Sequence, residues 1–309
     1  MKKTFNEFWP IFLEQKKVVA KKTTIAAYTL QWEKHLSSVF GNINLNDVKN
    51  STLQKYVNDS YCSGRHTKVL KDEITLIKNI LKTFSILEDK PCYMPIVVWP
   101  SKSKTQGECK KREKYSDAEI KLIIDYCRNS PIHWHKAIAL ACVTGARVGE
   151  IAGIRFSDFD FDKKQIHICR TVGRLYAGVG KTELYVNSTK TECSNRFIPM
   201  PGWLCDYYRA YKKLYNISDS SYITRGDASE FIEPRTLRAK FKLLCEKIGV
   251  DYKTFHSLRH SYASRLLLNG VDARTAAELL GHSDVAMTLN VYSHSDDSAK
   301  QLAAKKAFL

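Results

Sequence analysis

Apolar residues recur every three or four positions through most of the chain, and that period predicts helices. Phe5, Phe8, Trp9, Phe12 and Leu13 share one helical face behind a Thr4/Glu7 capping box. Ile25, Tyr28, Trp32 and Leu36 form a second face that stops at Gly41. Leu53, Tyr56 and Val57 mark a shorter helix, and Leu70, Ile74, Ile77, Leu81 and Phe84 a fourth that ends before Pro91. Ser116 with Glu119 caps a helix over 118–128, and a further one is expected over roughly 134–154. The period then changes, and FDFDKKQIHICR and NRFIPMP read as strands around a long, turn-rich hairpin. Helical spacing returns in PGWLCDYYRAYKKLY, RTLRAKFKLLCEKIG, TFHSLRHSYASRLLLNG and a close pair inside DARTAAELLGHSDVAMTLNVYSH.

Residues 101–114, SKSKTQGECKKREK, hold six basic residues, two acids and no large apolar side chain, which reads as a basic linker. The expected organisation is therefore a small helical domain at 1–100, the linker at 101–114, a second domain at 115–295 and a weakly amphipathic tail helix at 296–309. The fold class is mainly α with a small β-sheet or hairpin in the second domain. No internal repeat is evident.

Charge adds the first functional constraint. Forty-nine Lys+Arg against 32 Asp+Glu leave a net charge of +17, which favours a polyanionic partner because each phosphate contact releases a counterion. Nine cysteines without a C-x-x-C pair or framework spacing fit reduced thiols, most of them small core residues. The N-terminus lacks the apolar stretch of a signal peptide, and no apolar run approaches the ~20 residues of a membrane span. A cytoplasmic protein with no membrane partner is the expectation.

Four segments carry residues suited to chemistry. In HSLRHSYASRLLLNG, His256 and Arg259 stand at i, i+3 on one helical face, and His256 and His260 at i, i+4. The latter spacing suits zinc, but no carboxylate lies between the histidines and an arginine does, so no metal is expected. In VTGARVGEIAGI, Arg147 opens a helix whose Val148, Ile151 and Ile154 face inward. It either pairs with Glu150 or, with Arg259, grips a phosphate through its planar fork. Lys190 in STKTECSNRFIPM sits on the hairpin, either as a solvated lysine or carried to a substrate. In LLGHSDVAMTLNVYSH, Tyr292 shares a helical stripe with Val285 and Leu289, the usual place of a packing residue, and His282 lies ten residues earlier. Breaking a phosphodiester without water or metal needs a nucleophile, cationic donors for the equatorial oxygens and an acid for the leaving oxygen. Tyr292, Arg147 and Arg259, His256 and His282, and Lys190 are the matching candidates.

TGARVGEIAGIRFSD, TKTECSNRFIP, HSLRHSYASRLLLNG and LLGHSDVAMTLNVYSH resemble, in order and spacing, the signature boxes of the tyrosine recombinases, the phage-integrase family. The resemblance implies a two-domain DNA clamp, with a helical core-binding (SAM-like) domain followed by an α+β catalytic domain. It implies that Tyr292 attacks the scissile phosphate, forms a 3′-phosphotyrosyl link and frees a 5′-hydroxyl. Arg147, Lys190, His256, Arg259 and His282 complete the site, with Glu150 orienting Arg147 or its neighbours. No cofactor or metal is implied. The implied partners are double-stranded DNA with core-type sites, three further copies of the chain in a tetramer on DNA, and an excisionase or host DNA-bending protein. The implied location is the nucleoid.

The lysine hairpin and the long segment at 171–189 resemble integrases of phages and conjugative transposons, which integrate and excise a mobile element through a Holliday junction, more than chromosome-resolving Xer enzymes. The departure is at the front, where many such integrases carry an arm-type DNA-binding domain and this sequence opens on core-binding helices. Xer-type dimer resolution is the alternative with the same chemistry. A helix-turn-helix regulator around the turn at Gly281–Asp284 is the non-enzymatic one, and a type IB topoisomerase shares the cleavage step without strand exchange. The tail at 296–309 is expected to pack on a neighbouring protomer or on its own.

Overall fold

A computed structural model describes residues 3–91, 93–100, 113–188, 195–224 and 230–292, with Ser188 and residues 290–292 described by backbone alone. Most of the expected linker, the whole expected tail and Lys190 lie outside the described residues. The chain divides into two compact units, Met1–Cys109 with Arg174–Leu184, and Lys110–Gly173 with Tyr185–Leu309.

In the first unit α1 (Phe5–Val19) starts at the Thr4/Glu7 capping box. Helix α2 (Lys22–Gln31) runs through a π-helical turn at Trp32–Leu36 into α3 (Ser37–Phe40), followed by α4 (Asn50–Cys62) and α5 (Thr67–Leu87). The apolar stripes meet in one core, with Phe5, Phe8, Phe12, Leu36, Phe40, Leu53, Leu70 and Ile77 almost fully buried. Glu73 is buried inside α5, where a charge needs partners. The Tyr56 hydroxyl donates to it at 2.8 Å, and Arg65 bonds both groups. Burial, then the bond to Glu73, pushes Tyr56 up to about 12.

The second unit opens with α6 (Asp117–Asn129), capped by Ser116 and Glu119 as expected. The helix expected over 134–154 is broken. Helix α7 (His133–Thr144) ends where Gly145 takes a left-handed φ of 61°, and α8 (Val148–Gly153) starts afresh at Arg147. A side chain at Gly145 would also meet the Tyr262 ring at 2.5 Å, so the break is fixed by both backbone and space. The strands β1 (Phe159–Asp160), β2 (Gln165–Ile168) and β5 (Arg196–Pro199) form an antiparallel sheet in that order, with Ile166 opposite both Phe159 and Ile198. Between β2 and β5 the chain makes the two-stranded ribbon β3 (Arg170–Tyr176) and β4 (Thr182–Ser188). Helices α9 (Gly202–Leu214), α10 (Pro234–Lys247), α11 (Phe255–Leu268), α12 (Ala273–Leu280) and α13 (Val285–Tyr292) complete the unit. The second core gathers Ile138, Leu140, Ile151, Ile166, Ile198, Leu204, Tyr208, Leu237 and Phe241. The fold is mainly α with small antiparallel sheets. No described helix is long and apolar enough to cross a membrane.

The sequence stripe on α13 needs correction. Leu289 is half exposed, whereas Thr288 is fully buried. Thr288 turns inward where Leu289 was expected to, and its hydroxyl pairs with His282.

Candidate active site

The site is assembled on the end of α12. The last four carbonyls of any α-helix have no partner inside it. Gly281 adopts φ 66°, which lets its own N–H reach the Glu278 carbonyl at 3.0 Å and the His282 N–H reach Ala277 at 2.9 Å. That left-handed turn satisfies two of the four carbonyls. The next three along the chain each accept from a different arginine. Arg196 Nε donates to Leu279 at 2.7 Å, Arg259 Nη2 to Leu280 at 2.6 Å and Arg147 Nη2 to Gly281 at 3.2 Å. The negative end of the helix dipole lies at the same point and favours all three cations.

Each arginine has a second anchor. Arg259, buried on α11, donates from Nη1 to the Gly145 carbonyl at 2.9 Å, so it holds the left-handed turn of α7 against that of α12. Arg147 begins α8, and its backbone N–H and its Nη1 donate to the two oxygens of Glu150, at 2.9 and 2.8 Å. Arg196 on β5 donates to the same carboxylate at 3.1 Å. Burial alone would raise the pKa of Glu150, but the Arg196 and Arg147 guanidiniums outweigh it and hold the carboxyl below the ordinary range. Burial, then the field of Arg147, lowers Arg259 to about 9, with Glu150 opposing the shift. Arg259 therefore remains cationic at neutral pH.

His282 follows directly after the αL glycine. Its Nδ1 lies 2.8 Å from the Thr288 hydroxyl of α13, so the ring is fixed between the two helices. In the tautomer with its proton on Nε2, the ring accepts from the Thr288 hydroxyl at Nδ1 and presents an N–H that can donate to an oxyanion. Burial first, then the charges of Arg259, Arg147, Arg196 and His256, push His282 down to about 4, so it is neutral at physiological pH. His256 is exposed in the first turn of α11, with its ring centroid 4.6 Å from that of His260. Tyr292 is the last residue of α13, one helical turn beyond Thr288.

The structure thus brings together Arg147, Glu150, Arg259 and His282, with His256 near enough for its charge to act on His282. Lys190 and the Tyr292 side chain lie outside the described residues. Sequence reasoning missed Arg196, although β5 alternates buried and exposed residues and puts Arg196 on the same inward face as Ile198. An inward arginine on a strand demands an acid or carbonyl partner, and that was the available signal. Thr288 and the carbonyls of 279–281 carry no residue-type signature.

Elsewhere, Asp158, His167 and Cys169 bring ligand-type atoms within 4.8 Å of one another. Both Asp158 oxygens are held by Arg170, at 2.6 Å each, and one also accepts from the Arg155 N–H, so a cation there would face a guanidinium.

Comparison with known proteins follows the same outline. The family profile described as "Phage integrase family" matches residues 114–299, and one described as "Phage integrase, N-terminal SAM-like domain" matches residues 4–60. A "Tyrosine recombinase XerC-like" protein of Caldanaerobacter subterraneus subsp. tengcongensis is 28% identical over 89% of this chain and 74% of its own. The "Integrase" of Staphylococcus phage L54a is 23% identical over 82% and 77%. Among solved structures, a Tn1549 transposon integrase in complex with transposon right end DNA superposes with a TM-score of 0.72, at 18% identity over 99% of this chain and all of that one. A lambda integrase tetramer bound to a Holliday junction gives a TM-score of 0.63, at 16% identity over 94% and 77%.

Proposed function

The chain belongs to the phage integrase family, and from that premise we propose a role for each residue of the arginine site in site-specific DNA recombination. The Tyr292 hydroxyl attacks the scissile phosphorus, the bond from phosphorus to the 5′-oxygen breaks, and a 3′-phosphotyrosyl link forms. Arg147 and Arg259 donate to the two non-bridging oxygens, where charge builds in the transition state. His282, neutral, donates a further hydrogen bond to one of them. His256 is the candidate acceptor of the tyrosine proton, and Lys190 the donor of a proton to the leaving 5′-oxygen. The 5′-hydroxyl of a second strand then attacks the phosphotyrosine, which restores Tyr292 and joins the new strand. Two such exchanges pass through a Holliday junction.

One observation carries this reading. Two arginines and a neutral histidine are held side by side on the α12 cap, two residues before the helix that ends in Tyr292. Double-stranded DNA is the proposed substrate, a tetramer on DNA the working assembly, and a mobile element the cargo. The relatives' names and the lambda tetramer support these assignments. An excisionase or host DNA-bending partner and a place in the nucleoid belong to the same proposal, as does a division of the chain into core-binding and catalytic domains. On a nicked duplex carrying the inverted repeats expected beside its gene, the protein accumulates a covalent adduct, and Tyr292→Phe binds with unchanged affinity but forms none. Adduct formation by the phenylalanine variant would remove Tyr292 from the mechanism.

A further inference from the structure

The three arginines on the α12 cap do not have equal roles. Arg147 and Arg259 are the expected phosphate ligands, but Arg196 is directed elsewhere. It is buried on the inward face of β5, with its Nε bonded to the Leu279 carbonyl and its Nη2 to Glu150. The bonds close a ring. From Arg196 the path runs through Glu150 to Arg147, from Arg147 to the Gly281 carbonyl, back two residues to Leu279, and so to Arg196. No member of a closed ring shifts alone. A displacement of the α12 cap would move the Leu280 acceptor of Arg259 and the His282 backbone together with the Gly281 acceptor of Arg147.

We propose that Arg196 is a positioning residue, which locks the α12 cap to Glu150 and so sets the register of Arg147, Arg259 and His282 at the scissile phosphate. This rests on the recombinase reading above and adds to it a residue that acts through its neighbours. The geometry requires arginine at this position. One planar guanidinium presents N–H groups along two fixed directions, to a carbonyl on α12 and a carboxylate on α8. A lysine keeps the charge, but its ammonium is a point donor that serves one partner well at the expense of the other. Its charge, with that of Arg147, balances Glu150, so Lys tests geometry while preserving electrostatics.

The test is Arg196→Lys, measured on the full chain for duplex affinity, thermal stability and single-turnover cleavage of the nicked repeat substrate at saturating protein. A misplacement of about 1 Å at a reacting centre costs on the order of 100-fold in rate. R196K is therefore expected to cleave ~100-fold more slowly, with its Kd unchanged within about threefold because no phosphate contact is lost. The cleavage defect is expected to shrink to less than about tenfold on a methylphosphonate, whose neutral reacting centre demands less of the two positioned arginines. A defect of equal size on both substrates, or a loss confined to Kd, overturns the proposal. A merely structural role would give that equal defect. Absence of any adduct from the unsubstituted protein would instead refute the recombinase reading and leave the role of Arg196 aside.

If R196K does not fold, arginine side-chain NMR of the unsubstituted protein carries the test. The Arg196 Nε–H should be protected from exchange without DNA and keep its chemical shift when duplex binds. A shift change on binding would make Arg196 a phosphate ligand and overturn the positioning role.

Discussion

His282 shows how a site built from cations selects the protonation state of its histidine. Its surroundings supply burial and the positive fields of Arg259, Arg147, Arg196 and His256, which all act in one direction and bring it to about 4. Because this lies below the ordinary value of about 6.5, the unfolded chain binds the proton more readily. The stability that His282 contributes is complete above about pH 6.5 and is lost as the pH falls towards 4. Its imidazole carbon-bound proton, assigned with His282→Asn, should show no NMR titration between about pH 5.5 and 8. A midpoint above about 7.5 would place an imidazolium in the site at neutral pH and remove the neutral donor from the mechanism. His133 and His135, pushed to about 4 by burial, add to the same loss of stability in acid. The sign of the whole effect is therefore an acid-labile fold, with the losses concentrated between the two values.

At the scale of elements, the parts that set the site are helix ends, and helix ends were only half legible in the sequence. Capping boxes at Thr4/Glu7 and Ser116/Glu119 were readable because they use side chains at fixed offsets. Gly281 was readable as a turn, and Arg147, Arg259 and His282 as candidates, because their residue types match the chemistry. The start of a helix at Arg147 was legible, but the end of the one before it was not, because α7 stops at Gly145 through a left-handed φ of 61° that a pattern of apolar residues does not record. The three acceptor carbonyls were missed because backbone groups leave no trace in a pattern of side chains, and Arg196 because only the alternation of the four-residue β5 marks it as inward. Leu289 was misassigned since a one-residue change of face on a two-turn helix shifts few apolar positions. The left-handed cap itself can be tested against a control of the same kind. Gly281 at φ 66° and Gly249 at φ 69° both follow helices, but only the first sits beside the arginines. An alanine at either costs roughly 1–2 kcal/mol in a left-handed conformation, readable in urea unfolding. Gly281→Ala should in addition slow adduct formation by at least about tenfold beyond its stability loss, and Gly249→Ala should not. Equal cleavage by both variants would show that the site does not depend on the cap geometry.

For the whole molecule, the net charge of +17 overstates the charge that faces a polyanion. Several cations are consumed within the fold. Arg170 grips Asp158, Arg196 serves the α12 cap and Glu150, and Lys136, nearly fully buried, donates to the carbonyls of Arg128 and Ser130 at the end of α6. Burial lowers the pKa of Lys136, and its ammonium also lies 4.7 Å from the Tyr207 ring centroid, so it is fixed in place by packing as well as by acceptors. The same device recurs at the ends of α6 and α12, since a cation is drawn to the negative end of a helix whose carbonyls lack partners. Salt dependence separates the two classes of charge. Each phosphate contact contributes about −0.9 to the slope of log K against log salt on duplex DNA, whether or not the sequence is specific. Lys136→Met should therefore leave that slope unchanged on a random duplex. It should lower stability by roughly 1–3 kcal/mol as the two carbonyls lose their donor. A slope that became shallower by about 0.9 would mean that Lys136 reaches DNA phosphate after all, and the division of cations into structural and DNA-facing classes would have to be redrawn from that residue outward.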